Sequence, residues 1–295
     1  MVNDILSLEN SNIQNSNIQN QYDSSTTNLY SDLKLNCPSY TKVNSDFKDS
    51  SDNLKVYHQN IIGLRGKISQ LSNILYSEHP HVICITKHHL KDFVVDMMRI
   101  EYYKLGAKFC RHQYKNGSAC IFVNESIDFD SISIHHICKE KDLEICAVKL
   151  NLPKIKVVTI TTYRSSTGNY NYFLRKLDSF INSLYTKELE FIICGDININ
   201  YLHCYNRRKQ LDTQLPTYNV KSTVNFPMRI INGCSTAIDS IIIDLSRNFT
   251  INPLINGLSD HSGQLLKLEN IIVPIQEFTS YYVRNINSST IYKFQ

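Results

Sequence analysis

Between Glu190 and Asn198 the chain reads EFIICGDIN, and this stretch restricts the possible folds more than any other. Phe191 to Cys194 is a continuous apolar run, the pattern of a strand buried on both faces in an α/β sheet. Gly195 releases the chain at the strand's C-terminal end. Asp196 and Asn198 follow two residues apart, which in extended geometry sets both on one side. A carboxylate and an amide at such a strand end stand where α/β proteins hold phosphates and metals. A Gly-Asp pair also makes a plain turn, so the residues at the other strand ends decide between the two.

Those ends emerge from the hydrophobic pattern. Leu54 and Val56 begin a strand that ends at Gln59-Asn60. Ile68, Leu71, Ile74 and Leu75 mark one helical face that stops before Pro80, and VICIT at Val82 to Thr86 reads as a buried strand. Ser118 to Val123, Ile132 to His136, Glu144 to Leu150 and Lys156 to Tyr163 read as successive strands with short connectors. Tyr170 to Leu184 carries Phe173, Leu174, Leu177, Phe180, Ile181 and Leu184 at helical spacing. A polar, helical or looped region runs from Asn198 to about Asn219. Further strands are expected at Lys221 to Val224, Ala237 to Ile243 and Gln264 to Leu268. Two strand-rich halves, each with its own helix, predict an α/β (α+β) protein. The expected form is a four-layer α-β-β-α sandwich, two packed mixed sheets with helices outside.

At 295 residues, 42% hydrophobic and 20% charged, the chain can bury a sizeable core, which excludes a wholly disordered protein. Residues 1–52 differ: they are polar, rich in Asn, Ser and Gln, and repeat SNIQN in tandem at Ser11 to Asn20, the composition of a disordered tail. The nine cysteines include no CxxC pair, and Cys84, Cys120, Cys146 and Cys194 sit in apolar runs, as buried free thiols do in a reducing compartment. No apolar stretch is long enough to span a bilayer and none has the form of a signal peptide. A cytoplasmic or nuclear location with no membrane association, and a monomer, are expected. The net charge of +4 permits a polyanionic partner without requiring one.

Six sets of polar residues fall at strand ends, which gather at one rim of a sheet: Asn60; Thr86-Lys87; Tyr163-Arg164; Asp196 and Asn198; Ser235 to Asp239; and Ser259-Asp260-His261. Each also has an ordinary explanation. Asn60 suits a helix cap near Gly66, Asp239 a salt bridge, and Ser-Asp-His a turn.

Taken together, QNIIGLRGK, VICITKHHL, NGSACIFV, TYRSS, IICGDIN, FPMRI with STAIDSIII, and GLSDHSGQ resemble the endonuclease/exonuclease/phosphatase superfamily, the DNase I-like proteins. The likeness is nearest to endonuclease domains of non-LTR retrotransposons and covers roughly residues 53–270. The resemblance implies a DNase I-like sandwich and metal-dependent, in-line hydrolysis of a phosphodiester, with DNA as substrate and Mg²⁺, or Mn²⁺, as the ion. It assigns Asp196 to orienting or deprotonating the attacking water, and Asn198 and Asn60 to the phosphate and metal shell. His261 is expected to donate to a phosphate oxygen, with Asp239 fixing its tautomer. Asp260 is expected on the metal side and Tyr163 as a phosphate donor. Arg164, Arg229 and Ser235 are expected to bind phosphate or nucleic acid.

One position departs from the family. Where a metal-binding Glu follows the Thr of the VICIT strand, this chain has Lys87. An ammonium has donors but no lone pair, so it cannot ligate a metal. It also repels a divalent ion by roughly 8 kcal/mol at about 4 Å and an effective dielectric near 20. Lys87 is expected to take the metal's place and neutralise Asp260 or a substrate phosphate, leaving cleavage weakened or absent, unless Glu78 or Glu101 supplies the ligand. Met228 replaces the usual Thr before Arg229, which removes a hydroxyl from the phosphate grip. Residues 271–295 resemble the linker towards a reverse transcriptase in a parent element, and the apolar spacing of Tyr281 to Gln295 otherwise reads as the start of a helix that stops early.

Two other classes stay open. One is a non-catalytic nucleic-acid-binding module that uses Arg164, Arg207, Arg208, Lys209 and Arg229 on phosphates. The other is a phosphatase or phosphodiesterase acting on small or lipid phosphoesters. A zinc site from His79, His81, His88, His89 and His112 lacks cysteine or carboxylate partners at ligand spacing.

Overall fold

In the computed structural model, which describes residues 40–42, 53–274 and 282–284, the chain divides into two units. The smaller comprises Met1–Asp46 and Phe278–Gln295. Within it β1 (Tyr40–Lys42) pairs antiparallel with the last strand, β16 (Tyr282–Arg284). The apolar spacing there suggested the start of a helix, and a strand forms instead. The rest of the expected tail over 1–52 and of the linker over 275–295 lies outside the described residues.

The larger unit, Phe47–Glu277, holds two six-stranded sheets with helices outside. One sheet runs β14 (Phe249–Leu254), β15 (Gly263–Glu269), β2 (Asn53–Asn60), β3 (Val82–Thr86), β5 (Ala119–Asn124), β4 (Tyr103–Phe109). The other runs β10 (Val220–Ser222), β13 (Asp239–Asp244), β9 (Leu189–Asp196), β8 (Lys156–Tyr163), β7 (Glu144–Asn151), β6 (Phe129–Ile132). Each sheet has one parallel pair, β2 with β3 and β8 with β9, and every other pairing is antiparallel. A parallel pair needs a crossover. Helices α1 (Ile68–Glu78) and α3 (Tyr170–Leu184) provide the two crossovers.

Burial follows the two periods. On α1, Leu71 and Leu75 are buried and pack with Tyr57, Ile83, Ile85 and Phe122. His79, in the left-handed region at φ 46°, ends the helix before Pro80. On α3, Phe173, Leu177, Phe180 and Ile181 are buried, and the Asn169 side chain caps the first turn by accepting from the Tyr172 N–H at 2.9 Å. Alternation then directs Val56, Cys84 and Ile121 of one sheet, and Val148, Val157, Cys194 and Ile241 of the other, into the shared core. Ile271 and Val273, beyond the expected boundary at 270, are buried in that core as well.

Several elements differ from the sequence reading. The strand expected at Ile132 to His136 stops at Ile132, and a 3₁₀ turn follows at His135–Ile137. Ile134 and Ile137 are both buried, and their spacing of three suits a 3₁₀ turn rather than a strand. The polar region after Asn198 contains α4 (Asn206–Gln214). Helix α2 (Asp92–Met97), β4, β14 and the hairpin of β11 (Arg229–Ile231) with β12 (Cys234–Thr236) were not legible as elements. β4 is a lysine-bearing edge strand with a register shift between Leu105 and Ala107 that breaks its alternation. β14 is an edge strand with Pro253 in it. Among the described residues, no helix is long and apolar enough to cross a membrane.

Candidate active site

Four strands of one sheet end in register at a single rim. Glu144 of β7 faces Tyr163 of β8, Tyr163 faces Asp196 of β9, and Asp196 faces Asp239 of β13. Residues opposite one another point to the same face. Their parity is that of Cys146, Thr161, Cys194 and Ile241, so the row faces the other sheet. There Asn60 of β2 and Thr86 of β3 stand opposite each other at the corresponding rim. Gly195 makes the β8–β9 approach possible, because a Cβ at that position would lie 1.8 Å from the Thr162 carbonyl oxygen.

The two rims meet through direct contacts. Asn60 Nδ2 donates to Asp196 Oδ2 at 2.8 Å. His261 Nδ1 lies 2.5 Å from Asp239 Oδ2, the carboxylate–imidazole pair expected from the resemblance. Asn60, Asp196, Asp239 and His261 are all buried. Asn60 Oδ1, Thr86 Oγ1 and Asp239 Oδ1 are buried without a hydrogen-bond partner, so the cleft presents acceptors that a ligand could use.

Lys87 completes the cluster. It sits just past β3 with φ 54°, and its Nζ lies 3.1 Å from Asp196 Oδ2 and 5.4 Å from the Tyr163 ring centroid. Burial pushes the pKa of Asp196 up to about 6, aided by the neighbouring Asp239 charge and opposed by Lys87 and His261. Burial alone would lower the pKa of Lys87, but Asp196, Tyr163 and Asp239 outweigh it and hold the ammonium above its ordinary value. Burial raises the Tyr163 phenol, against the pull of Lys87. The lysine neutralises Asp196 and not Asp260, which corrects the expected partner. Neither Glu78 nor Glu101 belongs to the cluster: one ends α1 and the other is exposed in a turn.

Asp196, Asp239 and His261 offer ligand atoms within 4.8 Å of one another, a buried group that could hold a metal ion. One oxygen of each carboxylate is already engaged by neighbouring side chains. Asp196 Oδ2 takes both Asn60 and Lys87, and Asp239 Oδ2 takes His261. Magnesium demands near-octahedral oxygen ligation, and an ammonium stands against the carboxylate that would provide it. As arranged, these residues do not fit a resident magnesium ion.

Five expected site residues are placed otherwise. Arg164 is fully buried, and its guanidinium donates to the carbonyls of Ile197, Ser165, Gly168 and Asn198 at 2.9 to 3.1 Å. It braces the loop after β9 and is not available to phosphate. Asn198 lies in the left-handed region at φ 52°, and its Nδ2 donates to the Arg164 carbonyl at 2.6 Å. The extended geometry that would align it with Asp196 stops at Asp196. Asp260 is tied to Arg229 at 2.7 Å, and its nearer carboxylate oxygen is 3.8 Å from His261 Nε2. Burial raises the Asp260 pKa, but Arg229 and His261 hold it below the usual carboxylate value. Ser235 pairs with Ile230 in the hairpin that also carries Arg229, and Met228 is buried. Of the expected residues, Asn60, Asp196, Asp239, His261, Tyr163 and Lys87 converge.

Arg111 was not singled out by sequence. It lies 5.4 Å from the Tyr163 ring and is paired with Glu144, but it sits in a loop, away from any strand end that could have marked it.

No protein-family model and no curated protein matches the sequence. Solved structures do. The endonuclease domain of TRAS1, a telomere-specific non-LTR retrotransposon, superposes with a TM-score of 0.57 at 14% identity, over 74% of this chain and 98% of that one. The AP endonuclease LMAP from Leishmania major gives 0.60 at 14% identity, over 78% and 92%. A 3′-5′ exonuclease from Neisseria meningitidis gives 0.54 at 14% identity, over 73% and 100%. The chain has the DNase I-like fold that these proteins share.

Proposed function

We propose that this chain is a retroelement-derived phosphodiester-binding domain of the DNase I-like class, acting on DNA, in which endonuclease chemistry is weakened by Lys87. One observation carries this reading. A half-buried lysine pairs with the buried carboxylate that should activate water, on the face where the family's metal-binding Glu is expected. Likeness in fold to the TRAS1 endonuclease domain supports the retroelement origin.

In this reading a phosphodiester enters at the rim beside Lys87, Tyr163 and His261, and the unpartnered Asn60 Oδ1 and Asp239 Oδ1 are left to accept from water. His261, oriented by Asp239, donates to a phosphate oxygen, and the Tyr163 hydroxyl donates to another. Lys87 supplies positive charge to the phosphate. Asp196 is the acceptor for a water proton, and a carboxylate with a pKa near 6 would suit a general base at neutral pH. Lys87 and His261 already hold that pKa below what burial beside Asp239 alone would give, and so lower the basicity. Magnesium or manganese would supply charge on the phosphate if bound, but the Lys87 ammonium stands against the Asp196 carboxylate that would help to hold either.

A supercoiled-plasmid nicking assay with Mg²⁺ and with Mn²⁺ tests this. Wild type is expected to nick slowly or not at all, and Lys87→Glu to nick faster in a metal-dependent way. Wild-type nicking as fast as Lys87→Glu, lost in Asp196→Ala, would overturn the impairment.

A non-catalytic nucleic-acid-binding module is the second reading, favoured by the same Lys87–Asp196 pair. Salt-sensitive DNA binding with no turnover in any metal would support it. Hydrolysis of a small or lipid phosphoester but not of DNA would point to the third.

A further inference from the structure

The row at the rim extends beyond the residues that the resemblance assigns. Its outermost member is Glu144, in register with Tyr163. Glu144 is fully buried, and burial raises its pKa against the pull of Arg111. Its carboxylate accepts from the Arg111 Nε at 2.6 Å, from the Lys141 N–H at 2.7 Å and from the Ser118 N–H at 2.6 Å, and it also meets Arg111 Nη2. The charge-assisted bond from Arg111 Nε, together with the two backbone donors, fixes the carboxylate's orientation as well as its charge.

Arg111 is locked from its other sides. Its Nη1 donates to the Lys115 carbonyl at 3.0 Å, and its backbone N–H donates to Ser118 Oγ at 3.0 Å. Gly117, at φ 115°, lies so close that a Cβ there would come within 2.3 Å of the guanidinium carbon. The guanidinium thus held stands 5.4 Å from the Tyr163 centroid, the same separation as Lys87 Nζ. Both are within cation–π reach. Glu144, Arg111, Tyr163, Lys87 and Asp196 therefore form one alternating run, acid, cation, phenol, cation, acid.

We propose that Arg111, clamped by Glu144, is a positioning residue for the Tyr163 side chain, setting where its hydroxyl meets a phosphate. The proposal rests on the reading of this cleft as a phosphodiester site. Arg111 touches no substrate; it acts through the ring. Tyr163 has Lys87 and Asp196 on one side of the run and Arg111 and Glu144 on the other, so loss of Arg111 removes one of the two cations beside its ring.

The test uses the full chain with ¹³Cζ-labelled tyrosine, the Tyr163 resonance being identified by its loss in Tyr163→Phe. Arg111→Met is expected to move that resonance and to weaken binding of a short fluorescent DNA duplex about tenfold. In a Tyr163→Leu background the same substitution is expected to cost nothing further. Arg111→Lys, which keeps the charge but gives up the Nε–Glu144 bond, should move both readouts less, and it serves where Arg111→Met does not fold. An unmoved Tyr163 resonance, or an equal loss of binding in both backgrounds, would overturn the proposal and leave Arg111 a scaffold residue. Failure of wild type to bind DNA would instead sink the phosphodiester reading, and the resonance would still report whether Arg111 holds the ring.

Discussion

Lys87 Nζ lies 3.1 Å from Asp196 Oδ2, and the two side chains are 20% and 0% exposed. Replacing Lys87 with Met would leave Asp196 buried beside Asp239 without its cation. Losing one partner of a buried pair costs roughly 3–5 kcal/mol. Here Asp196 can take up a proton and relieve part of that, so a loss of about 2 kcal/mol is expected at pH 7. Urea denaturation of wild type and Lys87→Met measures it. An unchanged midpoint would show that the pair contributes nothing to stability.

The pH dependence of stability carries the signature of Asp196. Its folded-state pKa, about 6, is above the ordinary 3.8. Between those values the folded protein binds more protons than the unfolded chain, so this residue's contribution to stability falls as pH rises from about 4 to 6. Below that window its contribution is fully present. Asp196→Asn removes the titration, so the stability of the variant relative to wild type should climb from pH 4 to pH 6. A flat difference across the window would contradict the raised pKa.

Arg164 and Arg229 should separate cleanly. Arg164 makes four bonds to backbone carbonyls, so Arg164→Met is expected to destabilise the fold by about 3 kcal/mol or more. The conservative Arg164→Lys should leave the salt dependence of DNA binding unchanged. Arg229 is 37% exposed at the mouth of the cleft. If it touches phosphate, Arg229→Met should lower the slope of log affinity against log salt by about one. Binding isotherms at several salt concentrations decide both.

Gly195 admits no side chain. With a Cβ 1.8 Å from a backbone oxygen, Gly195→Ala must push β8 from β9 and is expected to cost about 3 kcal/mol or more. Denaturation of this variant measures the cost. An Ala variant as stable as wild type would mean that the two strands can part without loss.

The sandwich and most of the cleft were legible in the sequence because buried strands announce themselves as apolar runs and their polar ends stand out. Asn60, Tyr163, Asp196, Asp239 and His261 were found in this way, and α3 was found to its boundaries. Asn198 was misread because its left-handed backbone depends on the interlock with Arg164, which no local pattern encodes. Arg164 itself looks the same in sequence whether it reaches phosphate or four carbonyls. The partner of Lys87 was misassigned for a similar reason, since both Asp196 and Asp260 neighbour the cleft and only tertiary distance selects one. Arg111 and Glu144 gave no signal, being ordinary residues until a loop and a strand end bring them together.

The rim has one rung per strand: Glu144, Tyr163, Asp196 and Asp239. Because side chains along a strand alternate between faces, dropping or adding a single residue within any of these four strands would turn its rung outward towards the helices. A point substitution at a loop position such as Lys87 can thus change the charge at this edge while the edge itself survives. Small insertions and deletions in β7, β8, β9 or β13 should be tolerated far less well than the same changes in the loops that carry Lys87 and Arg111.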